Sequence, residues 1–316
     1  FPTNQLANGI LQKDFDELLL SEEKPFFNRA LRGRYPPASS IKPAIAMYGI
    51  EEGLVDWNFS VFDEGFFTLP EDGRIYRDWK EGGHGDTNLF KAITQSSNTY
   101  FFDLAYRSDI NQLNKHLSSL GFGNKACIDC FEEDQVFVPE PSWKINKHNF
   151  GWFKGDTVNM GVGQGYLVST PIQLAKYAYI MANKGKFSDL SLKKDLVKSE
   201  KSIEFNKFSN DDWFKLHESM VNVIEGNTGT ARRLREKKNY IVAAKTGTAE
   251  LVSGDNREQY SETRLDDSLR DHALIIAFGP MPNPRYAVSV VVENGESGGS
   301  VAGPVAISVL NSLIQE

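Results

Sequence analysis

Cysteine is scarce: Cys127 and Cys130 are the only two in 316 residues. One C-x-x-C pair is too little for a zinc ribbon. A thioredoxin-like site would open a helix after a strand. Here Gly121, Gly123 and Asn124 precede the pair and Glu132, Glu133 and Asp134 follow, so it reads as a loop. Two free thiols or, in an oxidising compartment, a local disulfide fit it, with no catalytic role. Long apolar runs are missing as well. The uncharged stretches 157–175 and 297–315 are interrupted by Gly, Ser, Asn and Pro, so neither reads as a membrane-crossing helix of about 20 residues. Positive charge is not in excess: 35 Lys plus Arg against 42 Asp plus Glu give a formal net charge of −7, which argues against nucleic acid as a partner. There is no repeat and no low-complexity tract. No secretory leader opens the chain, because Pro2, Asn4 and Asn8 follow Phe1 in place of a basic patch and an apolar run. The chain therefore reads as cytosolic or as having lost whatever exported it.

What remains is globular composition, 40% hydrophobic and 24% charged, with enough length for a sizeable core. A helix is expected from near Ser39, with Ile41, Ala44, Ile45 and Tyr48 at the spacing of a buried face. Pro43 is tolerated in its first turn. Residues 54–90 read as irregular surface, and Leu89–Ala105 as one helix. Thr170-Pro171 caps another helix, striped by Leu174, Tyr177, Ala178 and Met181 and ended by Gly185. Trp213, Leu216, His217 and Met220 mark a further one, with His217 a satisfied core histidine. Tyr240–Ala244, His272–Phe278 and Tyr286–Val292 are β-rich, the last two joined by a hairpin-like link at 279–285. A final helix carries Ala306, Val309, Leu310 and Leu313. The fold class expected is α+β within the broad α/β group. It is an antiparallel sheet covered by helices, with an all-helical insertion between Lys42 and Lys245.

Three short motifs carry the chemistry. Ser-x-x-Lys occurs as Ser21–Lys24, Ser39–Lys42 and Ser191–Lys194. On a helix, residues i and i+3 share a face, so the amine can reach the hydroxyl. That amine is a useful base once its pKa falls from about 10.4 towards neutrality, a shift of ~3 units or about 4 kcal/mol that burial near cations can supply. The first and last copies lie in charged runs and read as solvated surface. Ser39–Lys42 opens an apolar-striped helix behind Pro36-Pro37, which places the Ser39 N–H where a developing oxyanion is stabilised. Alone, it also fits an N-cap serine with an exposed lysine. Ser96-Ser97-Asn98 is the one Ser-x-Asn, offering a hydroxyl that can relay a proton and an amide that both donates and accepts, or simply a cap. Lys245-Thr246-Gly247-Thr248 follows a β-rich run. Its cation and hydroxyls can hold a carboxylate, and Gly247 lets a substrate backbone approach the strand edge. The plain alternative is a strand-end turn with a solvated lysine.

Together and in this order, the three motifs match the signature of the penicillin-recognising serine acyltransferases. The likeness continues through most of the chain. Arg32–Pro43 resembles the nucleophile region of class B penicillin-binding proteins. Tyr76–Lys80 with Gly83-His84-Gly85 is similar to their elongation-type members rather than the septal ones. So are Gly155–Thr157, Gly163–Tyr166, Thr170–Gln173, Arg270–His272 and Glu293–Gly295. The resemblance implies the penicillin-binding transpeptidase, serine β-lactamase-like fold, with residues 1–316 forming one transpeptidase domain. A membrane anchor and pedestal domain would lie upstream, outside this chain. It implies that Ser39 attacks the penultimate D-Ala carbonyl of a peptidoglycan stem peptide and Lys42 takes its proton. Ser96 would protonate the leaving D-Ala, and Asn98 would hold the substrate amide and Lys42. Lys245, Thr246, Gly247 and Thr248 would bind the terminal carboxylate side, with Ser39 and Thr248 N–H groups as oxyanion hole. β-Lactams would acylate Ser39. A membrane glycan polymerase and the elongation complex would be partners, at the bacterial inner membrane with the catalytic domain in the periplasm.

Two departures stand out. Ala38 occupies a position where the family usually has Gly, and its methyl is expected to crowd the nucleophile's approach. Some relatives bind a structural zinc through two Asp, a His and a Cys. Asp63, Asp78 and His84 match the first three and are weak metal candidates, but Ser97 stands at the cysteine position; no cofactor is required, and of the two readings left open, a structural zinc is disfavoured against Asp78 and His84 in a hydrogen-bonded loop. Gly161-x-Gly163-x-Gly165 is not a dinucleotide loop, since Tyr166 follows and no strand–helix unit fits; it reads as a close backbone approach to the site. Asn227–Thr230 reads as a turn near the site. A D,D-carboxypeptidase or serine β-lactamase shares the motifs but needs water activated against the acyl-enzyme, and no glutamate is assignable to that task. A non-enzymatic β-lactam sensor would acylate without cross-linking.

Overall fold

The centre of the fold is set by two apolar runs that pair across a turn. The structure, a computed structural model, describes residues 3–196, 199–251 and 269–315. In chain order its helices are α1 (Thr3–Ala7), α2 (Gln12–Leu20), α3 (Arg29–Arg32), α4 (Lys42–Glu51), α5 (Leu89–Gln95), α6 (Asn98–Arg107), α7 (Ile110–Ser119), α8 (Pro141–His148), α9 (Lys154–Gly161), α10 (Pro171–Ala182), α11 (Asn210–Glu225) and α12 (Gly303–Gln315). The strands are β1 (Ser60–Asp63), β2 (Phe66–Thr68), β3 (Ile75–Arg77), β4 (Gly85–Asn88), β5 (Lys186–Phe187), β6 (Lys201–Ser202), β7 (Ala243–Ala249), β8 (His272–Gly279) and β9 (Tyr286–Val292). Strands β7, β8 and β9 form an antiparallel sheet in that order.

Side chains alternate across a strand, and β8 uses both faces. Leu274, Ile276 and Phe278 enter a large core with α4, α10 and α11. Ala273, Ile275 and Ala277 enter a second cluster with Val223, Ile224, Ala306 and Leu310. The sheet thus has helices on both faces, as the sequence predicts. Helix α4 is the core of the insertion. Lys42 to Gly49 are all buried, so the expected stripe is one side of a helix enclosed all round. Two side chains from neighbouring helices hold its start. The Ala44 N–H donates to Tyr177 Oη at 3.0 Å, and His116 Nε2 meets Ala44 O at 3.0 Å. Burial lowers the His116 pKa to about 4, so its neutral ring donates that bond.

Several expectations need correction. Leu89–Ala105 is two helices, because Ser96 adopts a left-handed conformation (φ +61°) that ends α5 and Ser97 caps α6 by accepting the Tyr100 N–H. Residues 54–90 are ordered by the antiparallel pairs β1–β4 and β2–β3. Their glycines and aspartates hide this, since the order comes from buried polar contacts of Asp63, Asp78 and His84 rather than from apolar periodicity. Strand β7 begins at Ala243, not Tyr240, and runs through Lys245–Thr248 in register with Ile276–Ala273, so the third motif lies within a strand. On α12 the buried face is Ala306, Ile307 and Leu310, and Val309 is exposed. Cys127 and Cys130 form a disulfide, with the Ala126 and Cys127 N–H groups donating to the Glu133 carboxylate.

Replacing Tyr177 with Phe keeps the ring but leaves the Ala44 N–H without a partner in a dry place. The expected loss is about 1–3 kcal/mol of stability, read from the urea midpoint. A loss under about 0.5 kcal/mol would show that the hydroxyl does not hold the helix start.

Candidate active site

The first motif is delivered by a short 3-10 turn, Ala38–Ile41, that runs directly into α4. Ser39 is partly exposed at its surface, while Lys42 is fully buried beneath. The turn is tied down on both sides. The Ala38 N–H donates to Gly163 O at 2.8 Å, and Tyr35 pairs with Ser169 through both backbone groups. A side chain at Gly163, itself at φ +72°, would collide with the Ala38 carbonyl, so the glycine run serves the close backbone approach. Ala38 has φ +49°, a region costing an L-residue roughly 1 kcal/mol or more. Its methyl is fully buried. The departure from glycine is therefore met with backbone strain at the residue next to Ser39. The other two Ser-x-x-Lys copies leave Lys24 and Lys194 exposed.

The second and third motifs meet the first at one hydroxyl. Lys42 Nζ lies 2.7 Å from Asn98 Oδ1, 2.7 Å from Ser96 O and 3.2 Å from Ser96 Oγ. Lys245 Nζ lies 2.8 Å from the same Oγ. The α5–α6 break makes this possible. The left-handed Ser96 turns its carbonyl and hydroxyl to the two amines, and Asn98 starts α6 beside them. Both amines are fully buried. Burial lowers Lys42 to about 7, against the opposing pull of Asp78 and Asp63. Burial, and then the Lys42 charge, hold Lys245 well below its ordinary range. One group can therefore be a neutral amine at physiological pH while the other is ready to meet an anion. The cost of burying Lys42 falls in full on stability below about 7. It fades as pH rises to roughly 10.4, where the unfolded chain also loses that proton.

The third motif borders the opening. Among the described residues β7 has one strand neighbour, β8, so its other edge can take an extended peptide. Thr248 is exposed there, and the Thr246 hydroxyl lies 2.7 Å from Thr230 Oγ1, which brings the 227–230 turn to the site. Gln164 Nε2 donates to Thr248 O at 3.1 Å.

A family model described as penicillin binding protein transpeptidase domain matches residues 4–311. The chain belongs to that family. As a penicillin-binding transpeptidase domain it is similar to peptidoglycan D,D-transpeptidase MrdA of Haemophilus influenzae, at 36% identity over 100% of this chain and 50% of that protein. MrdA of Acinetobacter baumannii is 39% identical over 96% of this chain and 46% of that protein. A crystal structure of Pseudomonas aeruginosa PBP2 in complex with WCK 5153 has TM-score 0.86 at 37% identity, covering 98% of this chain and 67% of that one. Helicobacter pylori PBP2, in a complex with MreC, has TM-score 0.83 at 29% identity, covering 96% and 55%. The chain spans about half the length of the curated relatives it matches. The likeness is thus to the PBP2/MrdA type, and the fold is the penicillin-binding transpeptidase fold. No helix among the described residues is long and apolar enough to cross a membrane.

The sequence reading missed three contributors. Trp79 Nε1 donates to Ser96 O at 3.1 Å, a contact from a loop with no periodic signal. Tyr177 and His116 support α4 from other helices, and only a core-facing position on α10 hinted at the first. His272 accepts the Asn294 N–H at Nδ1 and packs edge-on against Tyr35, a structural part.

Site-resolved NMR titration of lysine Nζ groups is expected to place the Lys42 midpoint near 7, as its burial requires. A midpoint within about one unit of 10.4 would mean that the amine stays charged at neutral pH and that the pocket does not prepare a base.

Proposed function

We propose that this chain is the catalytic domain of a peptidoglycan D,D-transpeptidase that serves cell elongation and is a target of β-lactams. The observation that carries the reading is the meeting of Lys42 and Lys245 at Ser96 Oγ, with Asn98 on Lys42, since a hydrolytic or acyl-transfer centre needs a base, a proton path and an anion site within contact. The Ser39 hydroxyl adds to the penultimate D-Ala carbonyl of a stem peptide, and neutral Lys42 takes its proton. The N–H groups of Ser39 and Thr248 hold the oxyanion. On collapse the C–N bond breaks, and Ser96 passes a proton to the departing D-Ala amine. The amine of a second stem peptide then attacks the Ser39 ester. The new amide forms, the ester C–O bond breaks, and Ser39 regains its proton.

Lys245, Thr246 and Thr248 take the terminal carboxylate, with Gly247 keeping the strand edge open. A carboxylate beside Lys245 favours the protonated form of that amine. Its charge in turn drives the proton from Lys42, so substrate arrival prepares the base. The domain would work in the periplasm at the bacterial inner membrane, and the Cys127–Cys130 disulfide suits an oxidising compartment. A membrane glycan polymerase and a protein like the MreC found in complex with the Helicobacter pylori relative would be its partners in the elongation complex.

Brief exposure to a penicillin, followed by intact-protein mass, is expected to show one adduct per chain that lasts for hours and is absent in Ser39→Ala. Release within seconds would identify a β-lactamase. A lasting adduct with no cross-linking of stem peptides by the anchored protein would identify a sensor. The second-order acylation constant reports the free protein. It is expected to fall about tenfold per pH unit below the Lys42 midpoint, and a flat profile from pH 5 to 8 would remove Lys42 as the base.

A further inference from the structure

Some relatives hold a zinc through two Asp, a His and a Cys, and at those positions this chain offers Asp63, Asp78, His84 and Ser97. The first three place one ligand atom each within 4.8 Å of one another, all buried. The bonding around them is that of a closed hydrogen-bonded group. His84 Nδ1 and Asp63 Oδ2 are 2.6 Å apart, whereas two ligands of one tetrahedral zinc, each about 2.0–2.1 Å from it, sit roughly 3.3 Å apart. Ser97 Oγ donates to Asp63 Oδ2 at 2.8 Å and also accepts the Tyr100 N–H as cap of α6. Asp63 Oδ1 accepts the Gly65 N–H at 2.9 Å. Asp78 Oδ2 accepts the Asn98 and Thr99 N–H groups at 2.6 and 3.0 Å. His84 Nε2 is buried with no hydrogen-bond partner among the described residues and is the one donor atom left free, its Nδ1 facing the Asp63 carboxylate as a ligating histidine's second nitrogen does, so the fit turns on the other three side chains. The donor set lacks the thiolate, and its carboxylate oxygens are already engaged.

We propose that this chain holds these loops without a resident metal, the Ser97 hydroxyl closing by hydrogen bonds what a thiolate would close around zinc. Charge supports the exchange. With no divalent cation present, a thiolate would add a third anion to two buried carboxylates, whereas a hydroxyl supplies a proton to one of them. The cluster has a definite task. Asp78 caps the first turn of α6 at Asn98, the residue that meets Lys42, and Ser97 fixes the same turn to β1 through Asp63. Ser97 is thus a positioning residue between the loop region and the Lys42 pocket.

The test is metal content and thermal melting of protein purified without a histidine tag. The proposal expects less than about 0.1 zinc per chain, and a melting temperature indifferent to chelator and to added zinc. About one zinc per chain, with a melting temperature that falls by several degrees in chelator, would overturn it. Ser97→Cys supplies the missing thiolate and is expected to take up about one zinc per chain, with a melting temperature that now depends on zinc. If Ser97→Cys binds no more zinc than the parent, the hydroxyl is not what keeps the metal out, and the assignment to Ser97 fails.

Discussion

Two lysine amines share one serine hydroxyl in a place from which water is excluded, and most of the structure around them exists to make that tolerable. Lys42 and Lys245 are both fully buried and both in contact with Ser96 Oγ. Burial disfavours each charge, and each charge disfavours the other. Such a pair is expensive, so it persists only where surrounding structure leaves no alternative. Here the alternatives are closed by Asn98 and the Ser96 carbonyl on one amine and by the strand β7 on the other. The distant Asp63 and Asp78 carboxylates pull the other way and keep Lys42 from falling further.

Two of the left-handed residues of the backbone lie at the same point. Ser96 and Ala38, both in left-handed conformations, lie at the two turns that aim the hydroxyl and the nucleophile. Neither has the freedom of glycine, so both turns depend on outside support. For Ala38 that is the Gly163 carbonyl, and for Ser96 it is the cap formed by Ser97 and Asp78 at the start of α6. The buried cluster of Asp63, Asp78 and His84 is therefore a foundation of the pocket, although it lies behind it. Burial works against the Asp63 charge, but hydrogen bonds with His84, Ser97 and Gly65 outweigh it and hold that carboxyl far below its usual range.

Much of this was legible in the residue order. The sheet strands, the helix at Thr170-Pro171 and the enclosed α4 announce themselves by apolar period and capping chemistry, which are local properties. The three motifs could be ranked because only one Ser-x-x-Lys copy sits on an apolar helix. What the sequence could not display is what non-local contacts decide. The break at Ser96 interrupts a run with good helical spacing, and its reason is Lys42, more than fifty positions upstream. The order within residues 54–90 rests on three polar side chains finding one another. The length of β7 follows from its partner β8, which lies beyond the residues that separate them. The left-handed angle at Ala38 is likewise invisible in the sequence, since an alanine there announces no turn that glycine would favour.

On the proposed reading the three motifs form one acyl-transfer site around the Ser96 hydroxyl. A crystal structure of the protein after reaction with a penicillin tests it most directly. The expected result is an ester on Ser39 Oγ, the drug's carboxylate against Lys245, Thr246 and Thr248, its side-chain amide against Asn98, and Lys42 still in contact with Ser96. An ester on any other residue, or a carboxylate turned away from β7, would contradict it.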